Sequence, residues 1–216
     1  MSSRRLIKGE LVAIAREQYI KNDPSHDINH ALRVLSLCEK IGKTENADMD
    51  VLVPAAIFHD IINYPKNHPK RCRSSIESAD FAKKILRHIN SFPQNKVNKI
   101  YEAIKLCSFT KGIVPDFLEA KILQDADSLE AMGAISIMRT FCSTGVMNRA
   151  FYDSSDPFCR KRKPNDTKFA LDLFFTRLLV VQRRLHTKAA KSMAKRRVKF
   201  LKSFLAEFEF ELAENI

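Results

Sequence analysis

Three short clusters in this sequence bring together residue types that can hold a divalent cation. His26 and His30 are four positions apart at the start of a helical pattern, one turn from each other on a shared face. His59-Asp60 follows the apolar run Val51-Leu52-Val53-Pro54-Ala55-Ala56-Ile57-Phe58, where a carboxylate needs a partner because isolated buried charge is costly. Asp125-Ala126-Asp127 sets two acids into a further, largely apolar helical stretch. Two imidazoles and two carboxylates suit Mn, Mg, Fe, Co or Ni. Taken singly, each cluster has an ordinary reading too. A lone helical His packs or is solvated, and Asp125 and Asp127 could cap a helix or bridge to neighbouring Arg and Lys. Jointly, His30, His59-Asp60 beginning 29 positions later and Asp127 a further 67 positions on, each expected on a helix, form a pattern hard to reach by accident.

Other catalytic signatures are missing. The five glycines build no Gly-x-x-x-x-Gly-Lys phosphate loop, no Gly-x-Gly-x-x-Gly dinucleotide turn and no Gly-x-Ser-x-Gly elbow, and there is no His-Glu-x-x-His helix.

The elements that must position these residues read as helices throughout. An amphipathic first helix is expected over residues 6–20, broken by Asn22-Asp23-Pro24-Ser25. A second spans about 27–41 with Gly42 as its C-cap, and a third spans about 49–62, carrying His59 and Asp60 in its last turn. A basic, proline-bearing loop covers 63–73. Ser74 with Glu77 forms a capping-box pattern opening a helix to about residue 90. Pro93 opens the next, ending near 107–109. Residues 117–139 read as helical with a break around Gly133, and after a loop over 152–166 two long helices complete the chain. With 216 residues, 45% of them hydrophobic, few glycines, short linkers and no repeats, the expectation is one all-α domain.

Lys and Arg number 37 against 25 acids, for a formal charge of +12 and a pI near 9.6. Such a field favours anionic partners: nucleic acid, anionic membrane or phosphorylated small molecules. Much of the excess is local, in Arg160-Lys161-Arg162-Lys163 and over 188–202, where solvated charge is the plain alternative. Cys38, Cys72, Cys107, Cys142 and Cys159 are odd in number and never in Cys-x-x-Cys, the usage of reduced thiols. Neither a secretory signal nor a membrane span is expected, and the chain reads as soluble and cytoplasmic.

The sequence resembles the HD-domain phosphohydrolases, whose metal site combines a first His, a consecutive His-Asp and a distant Asp. The matching segments are Ser25-His26-Asp27-Ile28-Asn29-His30 with Arg33-Val34, then Phe58-His59-Asp60-Ile61-Ile62, then Asp125-Ala126-Asp127-Ser128-Leu129. Lys66-Asn67-His68-Pro69-Lys70-Arg71 leading into Ser74-Ser75, the stretch 127–139, and the tail from Asp156-Pro157-Phe158 through Leu171-Asp172 are similar to a branch of small stand-alone bacterial HD hydrolases. Matching motifs run over roughly residues 10–205.

That resemblance implies a single HD-type domain over 1–216, with a metal-binding core over about 22–142 and basic C-terminal helices over about 167–212 packing on it. It also implies His30, His59, Asp60 and Asp127 as metal ligands, with Asp125 behind them. Asp60 or His26 would orient or deprotonate a water, which a divalent cation makes more acidic. Lys66 and Arg73, with Asn63 and Lys168, are the expected phosphate and substrate contacts, and the 160–163 run is expected to form the pocket's far wall. The implied substrate is a nucleoside mono- or triphosphate or a related phosphorylated small molecule, with nucleic acid as a lesser partner and no membrane. One departure stands out. Relatives in this branch often have His where this chain has Cys107, before Ser108-Phe109, and its loss could slow or alter turnover. The rival readings are a degenerate HD domain that binds a nucleotide or nucleic acid without turning it over, and an RNA-binding helical protein with incidental His and Asp.

Overall fold

The structure, a computed structural model, describes residues 3–19, 26–64, 68–108 and 112–214. Its helices are α1 (Ser3–Gln18), α2 (Ile28–Glu45), α3 (Met49–Phe58), α4 (Ser74–His88), α5 (Val97–Lys105), α6 (Leu118–Glu130), α7 (Ala134–Met147) and α8 (Lys188–Glu214). Among the described residues the β content is one isolated parallel bridge, Ala150 with Phe169, so the chain is all-α as expected. It divides into two compact units, Met1–Asp127 and Ser128–Ile216.

The first unit is organised around α3. Every residue over 51–58 is buried, so this helix has no solvent face and must be enclosed. Helices α1, α2, α4 and α5 enclose it. Leu52, Ile57 and Phe58 are completely buried, each stabilising the fold by about 1.5–3 kcal/mol over an exposed position. Helix α2 starts on Asp27, whose carboxylate accepts the His30 amide at 2.9 Å as an N-cap.

Three helix boundaries differ from the sequence reading. Gly42 does not end α2. The helix continues to Glu45, and Asn46 in the left-handed region (φ 56°) closes it. Gly42 serves packing instead, since a Cβ there would come within 2.6 Å of Leu52 Cδ2. Helix α3 stops at Phe58, which leaves His59 as its C-cap and Asp60 in the turn beyond it, not inside the last turn. Ser74 does not cap α4 either. It is the first helical residue, and its hydroxyl accepts the Tyr64 amide at 3.3 Å.

In the second unit, Gly133 ends the 117–139 stretch at φ 84° and separates α6 from α7. A Cβ at Gly133 would lie 3.3 Å from Arg197 Cγ, and the Arg197 guanidinium donates to the Leu129 carbonyl, so both conformation and space ask for glycine. Only the second of the two expected C-terminal helices is long. Ala170 and Leu171 donate their amides to the Ala150 and Phe151 carbonyls (2.9 and 2.8 Å), and the chain then winds as a π turn (Phe174–Leu178) and a 3-10 turn (Val181–Arg184). The fully buried Asp172 sits in this stretch and accepts Arg162 Nη1 and Nη2 at 2.5 and 2.7 Å and the Asn165 amide at 2.6 Å. Burial opposes the charge on Asp172, but Arg162 and the Asn165 amide outweigh it and hold the carboxyl below the usual carboxylate range.

Candidate metal centre

The first unit gathers His30, His59 and Asp127 at one point. One donor atom from each lies within 4.8 Å of the other two. His30 Nε2 stands 3.5 Å from Asp127 Oδ1, and the two imidazole centroids are 5.3 Å apart. Each position follows from local structure. Asp27 fixes the first turn of α2 and so His30, whose ring is fully buried. Asp127 lies on α6 one turn after Gln124, whose amide donates to the Leu106 and Ile113 carbonyls at 2.6 and 3.0 Å and ties α6 to the preceding loop.

The end of α3 orients His59. A helix leaves its last carbonyls without intrahelical partners, and here each one that matters has found another. The Ala56 carbonyl accepts His59 Nδ1 at 2.9 Å, the Ile57 carbonyl accepts the Tyr19 hydroxyl at 3.1 Å, and the Phe58 carbonyl accepts the Ile61 amide at 3.3 Å. A carbonyl can only accept, so Nδ1 carries the proton and a neutral His59 presents its lone pair on Nε2. That Nε2 is buried and has no hydrogen-bond partner. An orphaned buried acceptor is costly, and a cation shared with His30 and Asp127 would satisfy it. Donors on one ion at about 2.1–2.2 Å are at most about 4.4 Å apart, so this donor set needs to close by only a few tenths of an ångström. The residues fit a divalent metal.

Asp60 follows His59 directly and is half-buried, but it is not in the set of three mutually close donors. Its charge reaches the same neighbourhood. Burial, and then Asp60, push the Tyr19 phenol well above its ordinary range, and Asp127 adds to this. Cys107 is affected likewise, raised by burial first and then by Asp127 and Asp60. Cys38 is raised by burial, then by Asp127. Two buried thiols and a buried phenol therefore border the acidic centre.

His26 precedes the N-cap Asp27 and so lies outside α2, not one helical turn before His30 as its spacing implied, yet its ring packs edge-on to His30 with centroids 6.0 Å apart. Asp125 is buried on the same helix as Asp127. Asn63 is half-buried just past Asp60. Lys66 lies outside the described residues. Arg73 is 63% exposed and paired with Glu77 at 3.2 Å. Lys168 belongs to the second unit, where its ammonium lies 5.1 Å from the Phe169 ring centroid. In the basic run, Arg162 is committed to Asp172, and Arg160 pairs with Glu209 at 2.5 Å.

The segment after His59-Asp60 is tied to α4. Ser78 Oγ accepts the Ile62 amide at 3.0 Å and donates to the Ile62 carbonyl at 3.2 Å, and the Tyr64 hydroxyl donates to Glu77 at 2.6 Å. Sequence reasoning missed these anchors and Tyr19. A tyrosine ending an amphipathic helix carries no mark of its partner 38 residues away. Serines beyond a capping position look equally plain.

Residues 27–132 match the family model described as HD domain. YpgQ of Bacillus subtilis (strain 168), an uncharacterised protein, is 29% identical over 203 residues, covering 90% of this chain and 89% of its own. Its crystal structure in complex with ADP matches with a TM-score of 0.72 at 25% identity, over 94% of this chain and 97% of YpgQ. The Lin1889 protein of Listeria innocua gives a TM-score of 0.72 at 26% identity, covering 98% of both chains. A protein from Bacillus thuringiensis described as an HD-superfamily hydrolase shares the fold (TM-score 0.71, 24% identity, 98% of this chain and 99% of that one).

Proposed function

Because this chain belongs to the HD-domain superfamily, alongside small stand-alone bacterial proteins, we propose that it is a metal-dependent phosphohydrolase acting on a nucleotide or a related phosphorylated small molecule. The observation that carries this is the buried, partnerless His59 Nε2 grouped with donors from His30 and Asp127. Two imidazoles and a carboxylate suit a borderline or hard cation such as Mn, Mg, Fe, Co or Ni.

In this reading His30, His59 and Asp127 hold the ion, with Asp60 as the fourth ligand beside them. A bound cation of this kind supplies Lewis-acid polarisation of a phosphoryl oxygen and a more acidic water. Asp60 or His26 orients the attacking water and takes its proton, and Asp125 supports Asp127 from behind. Asn63, Lys66 and Arg73 contact substrate, and Arg73 exchanges its Glu77 partner for a phosphate when it does so. The nucleotide class is supported by the ADP complex of YpgQ and by the formal charge of +12. Residues 1–216 are taken as one hydrolase domain. A cytoplasmic address is proposed from the five free cysteines.

Cys107 favours a second reading, in which the domain binds a nucleotide without turning it over. It is buried in the field of Asp127 and Asp60, at a position where relatives of this branch often have His. One experiment separates the two. Phosphate and pyrophosphate release from a nucleotide panel is measured with Mn, Mg, Co or Ni, for wild type and Asp127→Ala. Turnover that needs metal and vanishes in the variant supports the hydrolase. Nucleotide binding with no release under any metal supports the binder.

A further inference from the structure

Helix α8 carries its charges in an order that its own stability does not ask for. Residues 188–206 contain seven basic residues and no acid. Arg197 turns inward to the Leu129 carbonyl. The other six, Lys188, Lys191, Lys195, Arg196, Lys199 and Lys202, are exposed, and among the described residues none of them is in an ion pair. At 100° per residue the five lysines fall within an arc of about 80°, next to the arc of the buried Ala190, Ala194, Val198 and Leu201.

Like charges three and four apart repel along this stripe. The stripe also occupies the N-terminal half of α8, where the helix dipole favours acids, while Glu207, Glu209, Glu211 and Glu214 crowd the C-terminal half, where it favours cations. An ordinary solvated helix would mix the two signs or order them the other way. A surface shaped for a polyanion would look like this one. From Lys188 to Lys202 the row is about 21 Å long at 1.5 Å per residue, enough to follow several phosphates. A helix inserted in an anionic bilayer would instead need a free apolar face, and that of α8 is buried.

We propose that the exposed face of α8 binds nucleic acid, its lysines tracking the phosphodiester backbone. The surface shares no residue with the metal centre and does not depend on the phosphohydrolase reading.

Fluorescence anisotropy of the full-length protein with a labelled oligothymidylate, over a series of salt concentrations, tests this. Wild type should bind with an affinity that falls steeply with salt. Lys191→Glu/Lys195→Glu/Lys199→Glu should weaken binding by about tenfold or more and flatten the log–log salt slope by about 2, at roughly 0.7 per phosphate contact. Asp127→Ala should bind like wild type. Replacing the three lysines by Gln, with circular dichroism melts, checks that any loss is not unfolding. Reversing Lys43, Lys84 and Arg87 changes net charge equally, so an equal loss there would overturn the assignment to α8. Absence of binding at low salt would overturn it too, as would undiminished binding by the triple variant or a preference for phosphatidylserine vesicles over the oligonucleotide.

Discussion

The two units each bury an acid-centred polar cluster, and the clusters differ in whether they are finished. In the second unit Asp172 accepts both Arg162 Nη atoms and the Asn165 amide, while Asp156 accepts the amides of Arg160, Lys161 and Arg162 at 2.9, 2.7 and 3.1 Å. Cys159 is pushed up to about 11 by burial and by its hydrogen bond to Asp172, so even the thiol beside the knot stays protonated. In the first unit His59 Nε2 is buried with nothing to bind, and Asp127 Oδ1 stands 3.5 Å from His30, beyond a good hydrogen bond. A closed network explains itself by stability. An open one of similar chemistry asks for a ligand, and that contrast marks the first cluster as the site.

The contrast can be broken most sharply at Asp127. Asp127→Ala should lower metal-dependent phosphate release by about 10³-fold or more, in line with removal of a group the chemistry depends on. Wild type should also gain thermal stability from added metal, about 2.7 kcal/mol at a hundredfold excess over Kd, and the variant should gain none. If Asp127→Ala responds to metal as wild type does, the cluster is no metal centre.

Asp172→Ala should do the converse. Arg162 would keep Asp153 at 3.5 Å and the Asp156 carbonyl at 3.1 Å but lose its two shortest contacts, which should cost about 3 kcal/mol in urea unfolding, the low end for a broken buried pair because Arg162 is 21% exposed. Metal stoichiometry should be unchanged. The same knot predicts acid sensitivity. The Asp172 carboxyl is held down in the folded state, so its contribution is fully present above the ordinary carboxylate value of about 4 and is lost as pH falls through the lower folded value. Wild type should therefore lose stability below about pH 4 faster than Asp172→Asn does. Parallel acid curves for the two proteins would contradict this.

Tyr19→Phe is a smaller intervention on the open cluster. It deprives the Ile57 carbonyl of its donor, at a cost of about 1 kcal/mol, and loosens the turn bearing His59 and Asp60. A severalfold fall in kcat with little change in KM is expected, and an unchanged kcat would limit Tyr19 to stability. The mildest change is Cys107→His, expected to raise turnover by no more than about tenfold. A fall in turnover would mean the buried thiol is part of a working pocket and not a lost catalytic group.

The cluster of His30, His59 and Asp127 was legible because metal binding demands particular residue types and these stand out against their apolar surroundings, whereas Asp60, expected with them, is not among the mutually close donors. The all-α class was legible from the helical periodicity of the apolar residues. Where α3 ends was not, because Ile61 and Ile62 prolong the apolar run while the backbone is stopped by partners distant in sequence, Tyr19 and Ser78. Gly42 looked like a cap because glycine often is one, yet its role is to admit Leu52. The regular helix expected around 174–184 is replaced by a π turn and a 3-10 turn, and no local propensity encodes the partnership of Asp172 with Arg162 ten residues earlier. Lys66, an expected phosphate contact, lies outside the described residues, and Arg73 is held by Glu77, which the sequence marked for a capping box and not for this pair.

The bond between His59 Nδ1 and the Ala56 carbonyl has a consequence for how this site can change over generations. Where a carboxylate side chain orients a metal-binding imidazole, one codon change can retune the basicity of the ligand or release it. Here the orienting group is main chain, present whatever residue occupies position 56. Drift in the side chains around His59 can reshape the pocket and its substrate preference while the protonation pattern of the ring is inherited intact. Only a change in where α3 ends would alter it.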